Sequence, residues 1–339
     1  MGNDKTLKFL LTGLLLLLSL MQSCKKNDTP ESSEYPEVLV LFSPDGLGDL
    51  SYNDRILRGI ELFMNKEETD FYIGFMSPED YEMAEFLIGQ WWEEKGSARR
   101  LLVLTDPAFA NMARKVIDPK AIGMEQSVLA FETEASPDPA DPLRTFRLSL
   151  FGASWLAGRT ARELGCTSPL IILGDGSNSV TFAGRDGFRE GFQEEIPAHS
   201  MADDWQGYCM PMDAYKMMFD LDGEVDFIYS ISGGTNMGIY RYLRENPDCG
   251  IFTAGMDVDQ SPYSTLIVGS LVKQIDLIVY DYLNKWFDKV DVPRHQVFGL
   301  ESGYVDWVIP DRYSSVRPAI EALRQEAIKK EKEYENGSL

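Results

Sequence analysis

Short β-rich runs alternate with helical patterns along most of the chain, and this alternation constrains the fold more than any other feature. Most of the runs are nearly continuous in apolar residues, as parallel strands covered on both faces are. Alternating strands and helices therefore predict an α/β fold built on parallel sheets with right-handed crossovers. The predicted strands are 37–43, 70–76, 100–105, 127–131, 169–174, 226–232, 250–255 and 265–270.

Helical patterns fill the stretches between these runs. Ser51 and Asp54 have the spacing of a capping box and predict a helix that continues through Asn65. Further helices are predicted over 151–164 and 178–193. The clearest pattern covers 271–288, because its apolar residues recur on one helical face. That face consists of Leu271, Ile275, Ile278, Val279, Tyr282, Leu283 and Trp286.

The first 23 residues have the pattern of a secretory signal. Lys5 and Lys8 precede an apolar run over 9–20, which is too short to span a bilayer. Cys24 follows the small residue Ser23, as in a bacterial lipoprotein signal, so we expect Cys24 to be lipidated and to begin the mature chain. The alternative is an ordinary signal peptide. Residues 24–36 are polar and contain proline, which predicts a flexible tether to the membrane.

Charge and residue usage exclude several classes of function. The 339 residues include 32 Lys and Arg against 54 Asp and Glu, a net charge of −22, so binding to nucleic acid is not expected. Two histidines are too few to favour histidine catalysis or a histidine metal site. No nucleophile, phosphate-loop or zinc-protease motif occurs, and Asp45, Asp49 and Asp54 lack the spacing of a calcium loop. We therefore expect that the protein is not an enzyme and that it binds no cofactor and no metal ion.

The chemistry is expected in the loops that follow the strands. In open parallel sheets, ligands bind at the carboxyl ends of the strands. The loops at these ends are rich in glycine, which lets the backbone approach a ligand closely, and helix starts aim N–H donors at it. These loops are 44–54, 175–178, 232–238 and 254–260.

Six segments in a fixed order resemble the basic membrane protein family. Members of that family are lipoproteins that serve as substrate-binding components of ABC importers, and characterised members bind purine and other nucleosides. Unlike the family name, this chain is acidic. The matching segments are 48–54, 155–158, 182–192, 233–238, 255–260 and 270–273.

The resemblance implies a type I periplasmic binding protein, with two doubly wound parallel-sheet lobes joined by a three-stranded hinge. Such lobes are discontinuous in sequence. We expect one lobe at 37–147 with 256–290 and the other at 148–255 with 291–330. Residues 331–339 are expected to form a C-terminal tail.

The family comparison also suggests residues that hold the base. Tyr52 matches an aromatic residue that stacks on the base, with helix packing as the alternative. Trp205 is the candidate for the opposite face, and Tyr208 competes with it. Asn111 lies near the position of the base-reading carboxylate, for which Asp106 is the alternative. An asparagine both donates and accepts hydrogen bonds, so the base preference would differ.

The ribose is expected to contact charged residues and backbone amides. Asp257 and Lys273 match the ribose-binding residues of the family, and the alternative is a structural salt bridge. Gly233 and Gly234 would let amides reach the sugar, or else serve tight turns. Where the family has an aspartate after the first strand, this chain has Ser43, and Asp45 is a substitute two residues later. The first loop also contributes Asn53.

Two functions remain open at this stage. The first is a nucleoside-binding lipoprotein that delivers its ligand to an ABC permease. The second is a sensory or regulatory lipoprotein that binds another small polar ligand without a dedicated permease.

Overall fold

Two six-stranded sheets organise the chain. The computed structural model describes residues 35–338, apart from 45, 67–69, 95–97 and 121–124. In spatial order, sheet A consists of β11 (His295–Phe298), β5 (Leu143–Leu148), β4 (Gln126–Ala130), β3 (Arg100–Leu104), β1 (Glu37–Leu41) and β2 (Tyr72–Met76). Sheet B consists of β12 (Val305–Val308), β10 (Ile267–Lys273), β9 (Phe252–Asp257), β8 (Phe227–Ile231), β6 (Pro169–Asp175) and β7 (Ala198–Ala202). All neighbouring strands are parallel except β10 and β12, which are antiparallel. The predicted α/β fold with two parallel-sheet lobes is confirmed.

The helix bounds are α1 Tyr52–Lys66, α2 Tyr81–Glu93, α3 Pro107–Val116, α4 Phe151–Glu163, α5 Phe182–Phe192, α6 Pro211–Leu221, α7 Asn236–Glu245, α8 Ile275–Phe287, α9 Arg317–Ala322 and α10 Arg324–Glu335.

Helices cover both faces of each sheet. In sheet A, α1 packs beside α8 and α2 packs beside α3, and in sheet B the pairs are α4 with α5 and α6 with α7. The central strands β3 and β8 are buried at every position, which is why their sequences are continuously apolar apart from Arg100 and Ser230. The hydrophobic cores therefore lie between each sheet and its two helix layers.

Two of the six segments on which the family resemblance rests contribute to the packing of two helices. The first, 155–158, lies on α4, and the second, 182–192, forms α5. A Cβ atom on Gly158 would lie 2.4 Å from the carbonyl oxygen of Phe188, and one on Gly191 would lie 2.1 Å from that of Trp155. Both distances are too short for any side chain. The glycines therefore allow the two helices to pack backbone against backbone.

The chain crosses between the sheets three times, after β5, after β10 and between β11 and β12. We define lobe 1 as residues 35–148 with 275–298, which carry sheet A, and lobe 2 as residues 149–273 with 299–335, which carry sheet B.

These bounds correct the expected ones at two places. The ends of β9 and all of β10 belong to sheet B, since Val272 pairs with Asp257. Residues 295–298 belong to sheet A, since β11 pairs with β5.

Two local predictions need correction for the same kind of reason. The helix predicted from 271 begins at Ile275, because Leu271 and Lys273 pair with β12 as strand residues. The expected tail over 331–339 is helical as far as Glu335, because α10 packs against α4.

Across the described residues, no helix is both long enough and apolar enough to cross a membrane. The signal segment 1–23, Cys24 and Asp45 all lie outside the described residues.

Candidate functional site

The carboxyl ends of strands from both sheets face one cavity between the lobes. Its volume is about 720 Å³, within the range of small-molecule sites. Lobe 1 contributes residues that follow β1, β2, β3 and β4. Lobe 2 contributes residues at or after the ends of β6, β7, β8, β9 and β10. Seven of the predicted ligand contacts line this cavity. They are Ser43, Tyr52, Asn111, Trp205, Gly233, Asp257 and Lys273.

A buried ion pair lies at the base of the cavity. Lys273 Nζ is 2.9 Å from Asp257 Oδ1. The two residues are only 8% and 4% exposed. The hydroxyl of Ser51, just before α1, donates a hydrogen bond to the other oxygen of Asp257, at the end of β9. This hydrogen bond joins lobe 1 to lobe 2. Asp257 has φ of +69°, an uncommon conformation for a residue other than glycine.

The charge of Lys273 is balanced by more than one carboxylate. Burial lowers the pKa of Lys273, but attraction to Asp257 and Glu132 outweighs burial, and the pKa is raised overall. Lys273 Nζ also lies 5.4 Å from the ring centroid of Tyr52, a cation–π distance. The lysine therefore remains charged and links the acidic base of the cavity to an aromatic wall.

Glu132 is a cleft residue that sequence reasoning missed. It follows β4, lines the cavity and is 6% exposed. Its Oε2 atom accepts a hydrogen bond from the Leu148 amide at 3.0 Å. Burial raises the pKa of Glu132, while Lys273 and the Leu148 amide act in the opposite direction.

Aromatic side chains enter the cavity from both lobes. Tyr52 and Tyr81 come from lobe 1, and Trp205 and Tyr208 come from lobe 2. The hydroxyl of Tyr208 accepts a hydrogen bond from Asn178 Nδ2 at 3.1 Å. Burial, together with carboxylates of both lobes, raises the pKa of Tyr81. A flat ligand between the lobes would therefore find aromatic surface on both sides, including Tyr81, which was not predicted.

Two of the predicted contacts, Asn53 and Gly234, do not line the cavity. Asn53 is fully buried and donates to Ser43 Oγ at 2.9 Å and to the Gly46 carbonyl at 2.8 Å, so it holds the first loop together. Gly234 is absent from the cavity lining, although its neighbour Gly233 lines it. Asp45 falls outside the described residues.

The start of α1 differs from the capping box that its sequence suggests. The carboxylate of Asp49 accepts from the amides of Asn53 at 2.7 Å and Asp54 at 3.2 Å, which satisfies the helix start. This leaves the hydroxyl of Ser51 for the contact with Asp257.

The loop after β3 has a similar division of roles. Asp106 caps α3 by accepting from the Ala108 amide at 2.8 Å, whereas Asn111 is exposed at the rim beside Arg114.

Acidic side chains outnumber basic ones around the cavity. The basic residues that line it are Arg114 and Lys273. Arg114 is already paired with Asp141 at 2.9 Å. An acidic, partly buried cavity disfavours anionic ligands. The acidic lining residues are Asp49, Asp106, Glu132, Glu134, Asp175, Asp203, Asp204 and Asp257.

No family model and no curated protein match the sequence, but solved structures match the fold. An ABC transporter solute-binding protein from Aeropyrum pernix K1 aligns with a TM-score of 0.67 at 16% identity, covering 89% of this chain and 92% of that one. A periplasmic component of an ABC-type sugar transport system from Hahella chejuensis aligns with a TM-score of 0.57 at 15% identity, and the alignment covers 81% of this chain and 100% of that one.

A LacI family transcriptional regulator from Enterococcus faecalis V583 with bound ribose aligns with a TM-score of 0.60 at 15% identity, and the alignment covers 80% of this chain and 96% of that one. The chain has the type I periplasmic binding protein fold. In this fold the interlobal cavity described above is the natural position for a ligand, because it is where the carboxyl ends of both sheets meet. Among the described residues, no group of three or more His, Cys, Asp or Glu side chains is arranged to hold a metal ion.

Proposed function

We propose that this chain is an extracytoplasmic, lipid-anchored solute-binding protein. It captures a nucleoside, with a purine base, between its two lobes and delivers it to an ABC permease. The observation that carries the proposal is the cavity between the lobes, where a buried Asp257–Lys273 pair adjoins aromatic side chains from both sides.

The ion pair suits a ribose. An ionised carboxylate accepts hydrogen bonds from both hydroxyls of a vicinal diol, and a lysine donates to a hydroxyl oxygen. Asp257 and Lys273 are held 2.9 Å apart at the base of the cavity, so a single sugar ring can contact both. The sugar would replace water at polar groups that already have fixed positions, which limits the ordering cost of binding.

The aromatic residues suit a base. Tyr52 lines the cavity from lobe 1, with Lys273 Nζ of lobe 2 over its ring, and Trp205 and Tyr208 line the cavity from lobe 2. A purine between them would stack on aromatic faces while its ribose points to Asp257. Ring stacking of this kind contributes about 1–3 kcal/mol per base.

The membrane anchor is the part of the proposal that rests on sequence. The apolar run over 9–20 and Cys24 have the pattern of a lipoprotein signal. Two or more acyl chains on Cys24 would hold the protein at the membrane through the tether 24–36. Fractionation tests this directly, because a Cys24→Ser variant should appear in the soluble fraction. A variant that still needs detergent for extraction would contradict the anchor.

A ligand panel tests the binding function. Purified mature chain with Cys24→Ser is heated with nucleosides, free bases and pentoses, each at a fixed concentration. Binding to the folded state alone stabilises a protein by about 2.7 kcal/mol at one hundred times Kd. We expect purine nucleosides to raise the Tm more than bases or pentoses do. A panel in which nucleosides leave the Tm unchanged would contradict the nucleoside proposal.

A sensory role is the second candidate function. It is favoured by the similarity in fold to a ribose-bound transcriptional regulator. In that case the lipoprotein would bind a small polar ligand and act through another envelope protein. The absence of any permease and ATPase genes near its own gene would favour this role, whereas an adjacent pair would favour import.

A further inference from the structure

One buried carboxylate in the cleft has no assigned role. Glu132 is 6% exposed, and its Oε1 atom has no hydrogen-bond partner among the described residues. Buried polar atoms are nearly always satisfied, and an unsatisfied one costs stability. Such an atom beside a cavity is explained if a ligand supplies the missing donor.

The backbone at this position supports a functional explanation. Glu132 has φ of +48°, in the left-handed region that glutamate rarely adopts. Asp257, on the other lobe, has φ of +69°. Strained residues of this kind persist where the surrounding structure holds them, and they cluster at ligand sites. Both acidic residues therefore have unfavourable backbone conformations that direct their carboxylates to one cavity.

The charges at the base of the cavity do not balance. Lys273 is attracted by both Glu132 and Asp257. The other cation that attracts Glu132, Arg147, is already paired with Glu134 and Glu335. The other basic lining residue, Arg114, is paired with Asp141. A phosphate or carboxylate on a ligand would add negative charge where it is already in excess, whereas hydroxyl or amino donors would relieve the excess.

A structural role for Glu132 accounts for only half of its carboxylate. Oε2 accepts from the Leu148 amide, next to the first crossing between the lobes. A glutamine side chain could accept the same bond without carrying a charge. The unpaired oxygen and the position in the cleft remain unexplained by this contact.

We propose that Glu132 is a further ligand-binding residue, which accepts a donor group of the ligand through Oε1 and excludes phosphorylated ligands from the cleft. The cleft then takes uncharged nucleosides and rejects their 5′-monophosphates. This inference rests on the proposed function and names the charge class of its ligand.

The test compares one ligand with and without its phosphate. Titration calorimetry on wild type, Glu132→Gln, Glu132→Asp and Asp226→Asn measures Kd for adenosine, inosine and adenosine 5′-monophosphate. Asp226 is the matched control, because its carboxylate also accepts backbone amides, from Thr167 and Ser168, but it does not line the cleft.

Wild type should bind a nucleoside at least a hundredfold more tightly than the monophosphate. Glu132→Gln should raise the Kd for the nucleoside at least tenfold. It should also lower the ratio of the monophosphate Kd to the nucleoside Kd at least tenfold. Glu132→Asp keeps the charge but shortens the reach, so it should bind the nucleoside weakly and still reject the phosphate. Asp226→Asn should match wild type in both respects.

Three outcomes would overturn the inference, and they can be told apart. Wild type that binds nucleoside and monophosphate equally well removes the charge selection but leaves the proposed function intact. Glu132→Gln with unchanged affinities and a lower Tm makes Glu132 a structural residue. A panel in which wild type binds no nucleoside overturns the proposed function and this inference with it.

Discussion

Asp257 and Lys273 differ in what their removal would leave behind, although they form one ion pair. Lys273 is paired with Asp257 and also attracts Glu132, so a Lys273→Met variant leaves the buried Asp257 carboxylate without its cation. Glu132 then keeps only the attraction of Arg147, which is already paired with Glu134 and Glu335. Breaking a buried pair in this way costs about 3–5 kcal/mol. We expect urea denaturation of the apo variant to show a loss of that order.

Replacement of Asp257 by asparagine should instead weaken ligand binding while changing the stability of the apo protein much less. Asparagine keeps the shape, tolerates positive φ and leaves Lys273 beside Glu132. Each charge-assisted hydrogen bond lost contributes about 1.5–3 kcal/mol, so Asp257→Asn should weaken nucleoside binding at least tenfold. Calorimetry and urea denaturation on the same sample decide the point. Normal affinity with a large loss of stability would make the pair structural.

The cavity-lining residues that the sequence analysis named differ from those that it missed in whether they belong to a readable motif. Asp257 and Tyr52 stand in short motifs whose order along the chain is readable. Glu132 and Tyr81 belong to no motif. The side chain of Glu132 enters the cleft because of a left-handed backbone and an amide sixteen residues away, and neither is visible in a local pattern. Ser51 was assigned to capping because only the fold brings Asp257 beside it.

The C-terminal helix α10 links two of the three crossings. Glu331 accepts from the amide of Gly152 at 3.0 Å, in the first turn of α4 just after the first crossing, and from that of Leu300 at 2.8 Å, in the crossing between β11 and β12. Glu335, one turn later, bonds to Ser149 Oγ at 2.6 Å and pairs with Arg147. Carboxylates of α10 therefore hold residues at these crossings in place, in addition to its apolar packing.

These carboxylates give the helix a measurable pH dependence. Burial raises the pKa of Glu331 from 4.5 to about 7. The stability associated with its protonated form is full below about pH 4.5 and is lost as the pH rises through 7. The loss corresponds to about 3 kcal/mol. The stability of wild type relative to Glu331→Gln should therefore fall by about that amount between pH 5 and pH 8, measured by urea denaturation.

Glu335→Gln is the control on the same helix. Burial opposes ionisation of Glu335, but hydrogen bonds from Arg147 and Ser149 hold its pKa below 4.5. Its contribution is lost only as the pH falls through that lower pKa. The difference between wild type and Glu335→Gln should stay constant from pH 5 to pH 8. A pH slope common to both variants would show that Glu331 does not titrate in this range.

Elements with a long continuous pattern were predictable, and the short ones were not. Helix α4 and the central strands match their predicted ranges closely because buried apolar runs define them. Strands β11 and β12 have only four residues each, and β7 contains His199 and Ser200. These strands exist because a neighbouring strand edge is available for pairing, which is tertiary information. The helix predicted from 271 failed because β10 and α8 adjoin and are both apolar.

The two lobes enclose a cavity that both of them line. The lobes are joined by three crossings, and the cavity lies between them with residues from both sides. The contact from Ser51 to Asp257 already spans the lobes at its base. A ligand that adds contacts to both lobes stabilises the conformation in which they are closer, and it shifts the population by its difference in affinity for the two conformations.

Small-angle scattering tests this motion. With saturating nucleoside the radius of gyration should decrease, and the pair-distance distribution should narrow without loss of folded content, because each sheet moves as a rigid unit. Adenosine 5′-monophosphate at the same concentration is the control ligand and should leave the profile of the apo protein unchanged. If calorimetry shows nucleoside binding while the scattering profile stays the same, the ligand does not bridge the lobes. The assignment of Asp257 on lobe 2 and Tyr52 on lobe 1 to one site would then be wrong, because a ligand held by both must draw the lobes together.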